Sequence, residues 1–132
     1  MGNEPKILVI DDDIDFVEAT KMVLEKGRYK VIVAYEGEAG LRKARAEKPD
    51  LVLLDVIMPV KDGFSAAEQF KKEPELRGIP LIMLTSFSSK GPGTGIPLSR
   101  GFNLEAEDYV EKPISPADLL KKVQQYIKRV PS

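Results

Sequence analysis

Short aliphatic runs alternate with segments of helical periodicity along the whole chain. The runs occupy residues 7–10, 31–34, 51–54, 81–84 and, more briefly, 109–110. Alternation of strands and helices predicts a parallel sheet covered on both faces, because parallel strands need long crossover connections. Since such crossovers are right-handed, we predict an α/β fold: a single flavodoxin-like, doubly wound, five-stranded parallel sheet in the order 2-1-3-4-5.

Length and charge indicate one domain with no bulk attraction to polyanions. The 132 residues suffice for a single domain spanning 1–132, with a core over about 6–129. A net charge of -1 predicts no direct contact with nucleic acid or anionic lipid. No apolar run approaches the roughly 20 residues that cross a bilayer, and the first residues do not resemble a signal peptide. We therefore expect a cytoplasmic protein without a membrane partner.

Cys and His are both missing, and their absence limits the chemistry. The chain has no Cys and no His. Disulfides, thiolate nucleophiles, histidine bases and imidazole metal ligands are therefore excluded. Any reaction must use carboxylate, hydroxyl and amine groups.

Polar residues follow four of the predicted strands at the point where each strand ends. Asp11 and Asp12 follow the first strand, Asp55 the third, Thr85 the fourth and Lys112 the fifth. In an open α/β sheet the carboxyl ends of the strands meet at the edge where ligands bind. The pattern predicts a site that holds a divalent cation and accepts a phosphoryl group on an aspartate, since an ionised carboxylate needs no base.

The run of three aspartates at 11–13 has both a structural and a functional interpretation. Asp13 suits the N-cap of the following helix, whereas capping leaves Asp11 and Asp12 unexplained. Two carboxylates about 4 Å apart repel by about 4 kcal/mol at an effective dielectric of 20, and a cation relieves that repulsion. An EF-hand loop is excluded because Phe16 replaces its glycine and Met22 its glutamate. Mg²⁺ is the favoured ion, because it binds through few carboxylates together with a phosphate.

The segment where a fourth helix is expected, residues 86–107, departs from the alternation. It contains four glycines and two prolines, at positions 91, 93, 95 and 101 and at 92 and 97. Interior glycine destabilises a helix by about 1 kcal/mol and proline by about 3 kcal/mol. We predict an irregular fourth helix region, with a long loop over 90–98 and at most a short helix over 99–105.

Taken together, the motifs resemble the receiver domain of response regulators in two-component signalling, including free-standing chemotaxis messengers. The resemblance covers about residues 6–129. It is carried by residues 9–13 (VIDDD), 54–59 (LDVIMP) with Asp62-Gly63, 83–86 (MLTS) and 108–113 (DYVEKP).

The resemblance implies a phosphoacceptor and a metal site. Asp55 would be the phosphoacceptor of a phosphorelay. Mg²⁺ would be bound by Asp55, by Asp12 directly, by Asp11 mostly through water, and by the backbone carbonyl of Ile57. The reaction would be the domain's own aspartyl phosphorylation and dephosphorylation rather than turnover of free substrates.

The resemblance also implies three further roles and a partner. Lys112 would pair with Asp55 and then with the phosphoryl group, and Thr85 would hydrogen-bond a phosphoryl oxygen. Tyr109 would be the aromatic switch that turns inward as Thr85 moves. The donor would be a sensor histidine kinase or phosphotransfer protein, and the output partner or domain is not identified. Since residues 85–112 are about five longer than usual and rich in Gly and Pro, we expect altered coupling to the output surface.

Two other functions are compatible with parts of the pattern. Residues 13–17 (DIDFV) match the DxDx[TV] motif of haloacid-dehalogenase-type phosphatases, but that motif would lie inside the first helix and leave Asp55 unexplained. A pseudo-receiver, which binds proteins without accepting phosphate, is the other alternative. The acid pair, Thr85 and Lys112 argue against it, and the abnormal segment 86–107 favours it.

Overall fold

The computed structural model describes residues 4–55, 63–85, 108–112 and 114–127. Its strands are β1 (Lys6–Ile10), β2 (Lys30–Ala34), β3 (Leu51–Asp55), β4 (Leu81–Thr85) and β5 (Asp108–Glu111). The helices within these ranges are α1 (Ile14–Lys26), α2 (Gly37–Glu47), α3 (Gly63–Lys72) and α4 (Pro116–Tyr126). The predicted loop over 90–98 and short helix over 99–105 lie outside the described residues.

All five strands are parallel and lie in the order β2-β1-β3-β4-β5, which confirms the predicted fold. β1, β3 and β4 are central, and their apolar residues are fully buried because helices cover both faces. In the register, Ile10 faces Leu54 and Asp55 faces Leu84. Asp11, which follows β1, and Asp55, which ends β3, are therefore neighbours across the point where the strand order reverses.

The core consists of two apolar clusters, one on each face of the sheet. Alternate residues of β1 belong to different clusters, as the two-residue period of a strand requires. Leu8 and Ile10 pack with residues of α2 and α3, such as Leu41 and Phe70. The opposite cluster packs residues of α1 and α4 against the sheet and includes Ile7, Val9, Val17, Leu24, Leu119 and Val123.

Local capping explains where the first and last helices begin. The Asp13 carboxylate accepts a hydrogen bond from the Phe16 N–H at 3.1 Å, so Asp13 is the N-cap of α1, as predicted. Ser115 caps α4 in the same way through the Asp118 N–H, and Pro116 follows at the first helical position. No helix in the described ranges is both long enough and apolar enough to cross a membrane.

One glycine of α2 permits close contact with the strand that leads to the candidate site. A Cβ atom built on Gly40 would overlap the side chain of Ile10, lying only 2.7 Å from its Cγ1 atom. Ile10 is fully buried and directly precedes Asp11. Gly40 therefore lets α2 pack closely against the end of β1.

Candidate functional site

Three aspartates converge at the carboxyl ends of β1 and β3. One carboxylate oxygen from each of Asp11, Asp12 and Asp55 lies within 4.8 Å of the others. Asp11 and Asp55 are buried, whereas Asp12 is exposed. The register of β1 and β3 produces this meeting, because Asp11 and Asp55 each follow one member of the pair Ile10 and Leu54.

Backbone hydrogen bonds hold the turn that carries the first two acids. The Asp11 N–H donates to the Ala34 carbonyl at 3.1 Å, which extends the pairing of β1 with β2 by one residue. One oxygen of the Asp11 side chain accepts the Asp13 N–H at 3.0 Å. Asp11 thereby points inward while Asp12 stays at the mouth of the site, accessible to solvent and to an incoming ligand.

Lys112 adds an ammonium group to the acids from the edge strand of the sheet. Its Nζ atom lies 2.7 Å from Oδ2 of Asp11 and 3.7 Å from Oδ1 of Asp55, and its side chain is largely buried. The ammonium also lies over the ring of Phe16, 4.4 Å from the ring centroid. Lys112 thus contacts both buried carboxylates, and its shorter contact is with Asp11.

Burial dominates the electrostatics of this site. It raises the pKa of Asp11 above its ordinary value, against the opposing effects of Lys112 and the Asp13 N–H, and the charge of Asp12 raises it further. When ionised, three carboxylates and one ammonium leave two negative charges in a small volume. Oxygen ligands with this excess charge suit a hard divalent cation, and Mg²⁺ fits the requirement for few carboxylates.

The other predicted site residues are only partly described. Thr85 ends β4 opposite Glu111, so its backbone lies at the same edge as the acids, but its side chain is outside the described part of the structure. Ile57 also lies outside the described residues. Tyr109 lies on β5 opposite Met83, half-buried against the cluster of α2 and α3, and burial raises its pKa.

The sequence did not predict the contact between Phe16 and Lys112. Phe16 is half-buried and packs beside the apolar cluster of α1 and α4. A usable signal was available, because Phe16 follows the Asp13 cap by three residues. It therefore lies in the first turn of α1, at the same edge of the sheet as the acids.

Comparison with known proteins gives a consistent family match. Residues 7–124 match the family described as the response regulator receiver domain. The alkaline phosphatase synthesis transcriptional regulatory protein PhoP of Bacillus subtilis is 36% identical over 124 residues, covering 94% of this chain and 49% of that protein. The chain thus spans about half the length of the curated relatives it matches.

Solved structures share the same architecture. The chemotaxis protein CheY4 of Vibrio cholerae superposes with a TM-score of 0.83 at 28% identity, covering 94% of this chain and 99% of that one. The receiver domain of the sensor histidine kinase PA1611 from Pseudomonas aeruginosa also gives a TM-score of 0.83, at 25% identity, covering 96% and 99% of the two chains. That structure has a magnesium ion coordinated in its active site cleft.

Proposed function

Since the chain belongs to the response regulator receiver domain family of two-component systems, we propose that Asp55 is its phosphoacceptor. The observation that carries the proposal is the meeting of Asp11, Asp12, Asp55 and Lys112 at one edge of the sheet. Asp55 ends a central strand and is buried beside an ammonium group, where a carboxylate nucleophile is held in place. A carboxylate at this position can form an acyl phosphate without a histidine base.

The proposed reaction transfers a phosphoryl group from a phosphohistidine of a partner to Asp55. An Asp55 oxygen attacks phosphorus, the P–N bond breaks, and the imidazole leaves with a proton taken from solvent. Lys112 stabilises the negative charge on the transferring oxygens, since its ammonium already lies within 3.7 Å of Asp55. Hydrolysis of the acyl phosphate by water returns the carboxylate and inorganic phosphate.

The acidic cluster is the proposed cation site. Asp11, Asp12 and Asp55 would hold Mg²⁺, with the Ile57 carbonyl as a further ligand on family resemblance. When bound, the ion neutralises charge on the phosphoryl group. Asp12 is the exposed member of the cluster, so an arriving cation meets it first.

Partners and output are proposed at the level of class. The donor is a sensor histidine kinase or phosphotransfer protein, encountered in the cytoplasm. Thr85 and Tyr109 would report the phosphoryl group to the output surface, because both lie on strands adjoining the site. The prediction that nucleic acid is not a direct partner applies to residues 1–132 alone, since curated relatives of twice this length carry the names of transcriptional regulators.

The phosphatase alternative has no support from the described residues. Asp13, which would begin its motif, caps α1 through the Phe16 N–H, and Asp15 lies in the first turn of that helix. The pseudo-receiver remains a defined outcome of the experiment that follows.

The test is phosphorylation by acetyl phosphate with Mg²⁺, read by intact mass. We expect one phosphoryl addition that disappears in Asp55→Asn and when a chelator removes the metal. Asp118→Asn is the matched control, because Asp118 is an exposed carboxylate in the first turn of α4 and should leave the addition unchanged. The wild-type protein would instead be a pseudo-receiver if it is folded but gains no mass with acetyl phosphate. It would then also accept no labelled phosphoryl group from a phosphohistidine protein.

A further inference from the structure

The ring of Phe16 lies beneath the ammonium of Lys112, and the ring itself is well fixed. The Phe16 N–H is held by the Asp13 carboxylate at 3.1 Å, and its half-buried side chain packs beside the apolar cluster of α1 and α4. The Lys112 ammonium lies 4.4 Å from the ring centroid, within the range of a cation–π interaction. The ring therefore presents a fixed face to a long side chain with several rotatable bonds.

Lys112 needs such a support because its two carboxylate partners lie at different distances. Nζ is 2.7 Å from Asp11 and 3.7 Å from Asp55, so the carboxylates alone would draw the ammonium toward Asp11. The face of an aromatic ring attracts a cation but carries no net charge. Phe16 can therefore hold the ammonium without adding to the negative charge of the site.

We propose that Phe16 is a positioning residue whose ring face holds the Lys112 ammonium between Asp11 and Asp55. The inference rests on the proposed transfer of a phosphoryl group to Asp55, for which Lys112 stabilises the transition state. An aliphatic side chain of similar size retains the packing against α1 and α4 but not the attraction for the cation. The Lys112 ammonium then occupies more positions, and in a smaller fraction of them it can stabilise the transferring phosphoryl group.

The first test compares phosphorylation rates with acetyl phosphate among variants at position 16. We expect Phe16→Leu to slow phosphorylation by about 2- to 5-fold, which corresponds to the loss of one cation–π contact. Phe16→Tyr retains the ring face, so it should be phosphorylated at the wild-type rate. Thermal unfolding of each variant confirms that the fold is intact.

Fluorinated phenylalanines separate attraction from packing. Site-specific incorporation of phenylalanines with one, two and three fluorines at position 16 weakens the ring's attraction for a cation while nearly preserving its shape. The rate should fall in steps with fluorine number. The same series at Phe70, which is buried in the core on the opposite face of the sheet, should show no trend. In the Lys112→Met variant, the phosphorylation rate should no longer change with the number of fluorines at position 16.

A second measurement does not require phosphorylation. Ring currents from Phe16 should shift the NMR signals of the Lys112 ε-methylene protons upfield, and Phe16→Leu should return them to ordinary values. Ordinary shifts in the wild type would overturn the proposal, as would a flat fluorine series or one that persists without Lys112. If the wild type is never phosphorylated but the ring-current shift is present, the proposed function fails while the positioning contact stands.

Discussion

Two aspartate–lysine pairs lie at opposite ends of the edge strand β5. Asp108 begins the strand and pairs with Lys122 of α4 at 2.9 Å. Lys112 directly follows the strand and pairs with Asp11 at 2.7 Å. The separations are similar, but the Asp108 pair is about a quarter exposed whereas Asp11 is fully buried.

Despite these similar distances, the pKa of Asp11 is raised and the pKa of Asp108 is lowered. Burial is the largest influence on both aspartates, and at Asp11 it prevails and raises the pKa. At Asp108 burial also acts upward, but hydrogen bonds from Lys122, the Tyr126 hydroxyl and the Tyr109 N–H together lower the pKa. A carboxylate with several donors near solvent stabilises the fold, whereas a buried one with other acids beside it is available for chemistry.

Removing the lysine of each pair should give the largest difference between them. We expect Lys112→Met to slow phosphorylation by about 10²- to 10³-fold, the usual effect of removing one charge-stabilising donor. Lys122→Met, at the other pair, should leave the rate within about 2-fold, a difference too small for loss of a direct transition-state contact. Rates from acetyl phosphate with Mg²⁺ provide the measurement. Equal losses in the two variants would show that Lys112 has no special role in the reaction.

A second comparison concerns how the buried pair is held in place. Gly40→Ala should destabilise the protein by about 1–3 kcal/mol, because the added methyl group overlaps Ile10 just before Asp11. Gly78→Ala is the matched control, since a Cβ at that position meets nothing within 4 Å. Urea unfolding measures both. A stable Gly40→Ala variant would mean that β1 can shift to accommodate the methyl group, and then its phosphorylation rate should fall.

The sequence predicted whatever depends on periodicity and local capping. The alternation of aliphatic runs with helical segments, together with right-handed crossovers, predicted the strand order. The position of Asp13 before a helical segment identified it as a cap rather than part of the acid pair. The features that the sequence did not predict depend on how deeply a side chain is buried and on its conformation. The shorter contact of Lys112 with Asp11, and the ring of Phe16 beneath it, arise from residues about a hundred positions apart in the chain. Spacing along the chain carries no information on which of two adjoining carboxylates a lysine approaches.

The opposite pKa shifts predict opposite pH dependence of stability. Between the lowered pKa of Asp108 and its ordinary value of 3.8, the unfolded state binds more protons. Its contribution is therefore present above that range and lost as the pH falls through the lowered pKa. Asp11 has a raised pKa, so the folded state binds more protons above pH 3.8, and its contribution falls as the pH rises.

The pH prediction is tested by urea unfolding from about pH 2 to about pH 8 without divalent metal, because most aspartates in folded proteins titrate between about pH 2 and pH 5. Relative to the wild type, Asp108→Asn should lose stability as the pH rises, whereas Asp11→Asn should gain it. Parallel curves for the two variants would mean that burial does not control the ionisation of Asp11.

The smallest expected effect isolates one donor of the more exposed pair, Asp108 and Lys122. The Tyr126 hydroxyl donates to Asp108 at 2.9 Å, so Tyr126→Phe should destabilise the protein by about 1 kcal/mol at neutral pH. Tyr35→Phe is the control, because the Tyr35 hydroxyl lies 3.5 Å from an exposed Glu18 oxygen and should contribute nothing measurable. The Tyr126→Phe effect should shrink in acid, since a protonated Asp108 is a weaker acceptor. An effect that does not change with pH would assign the loss to packing of the ring rather than to the donor, and the low pKa of Asp108 would then depend chiefly on Lys122.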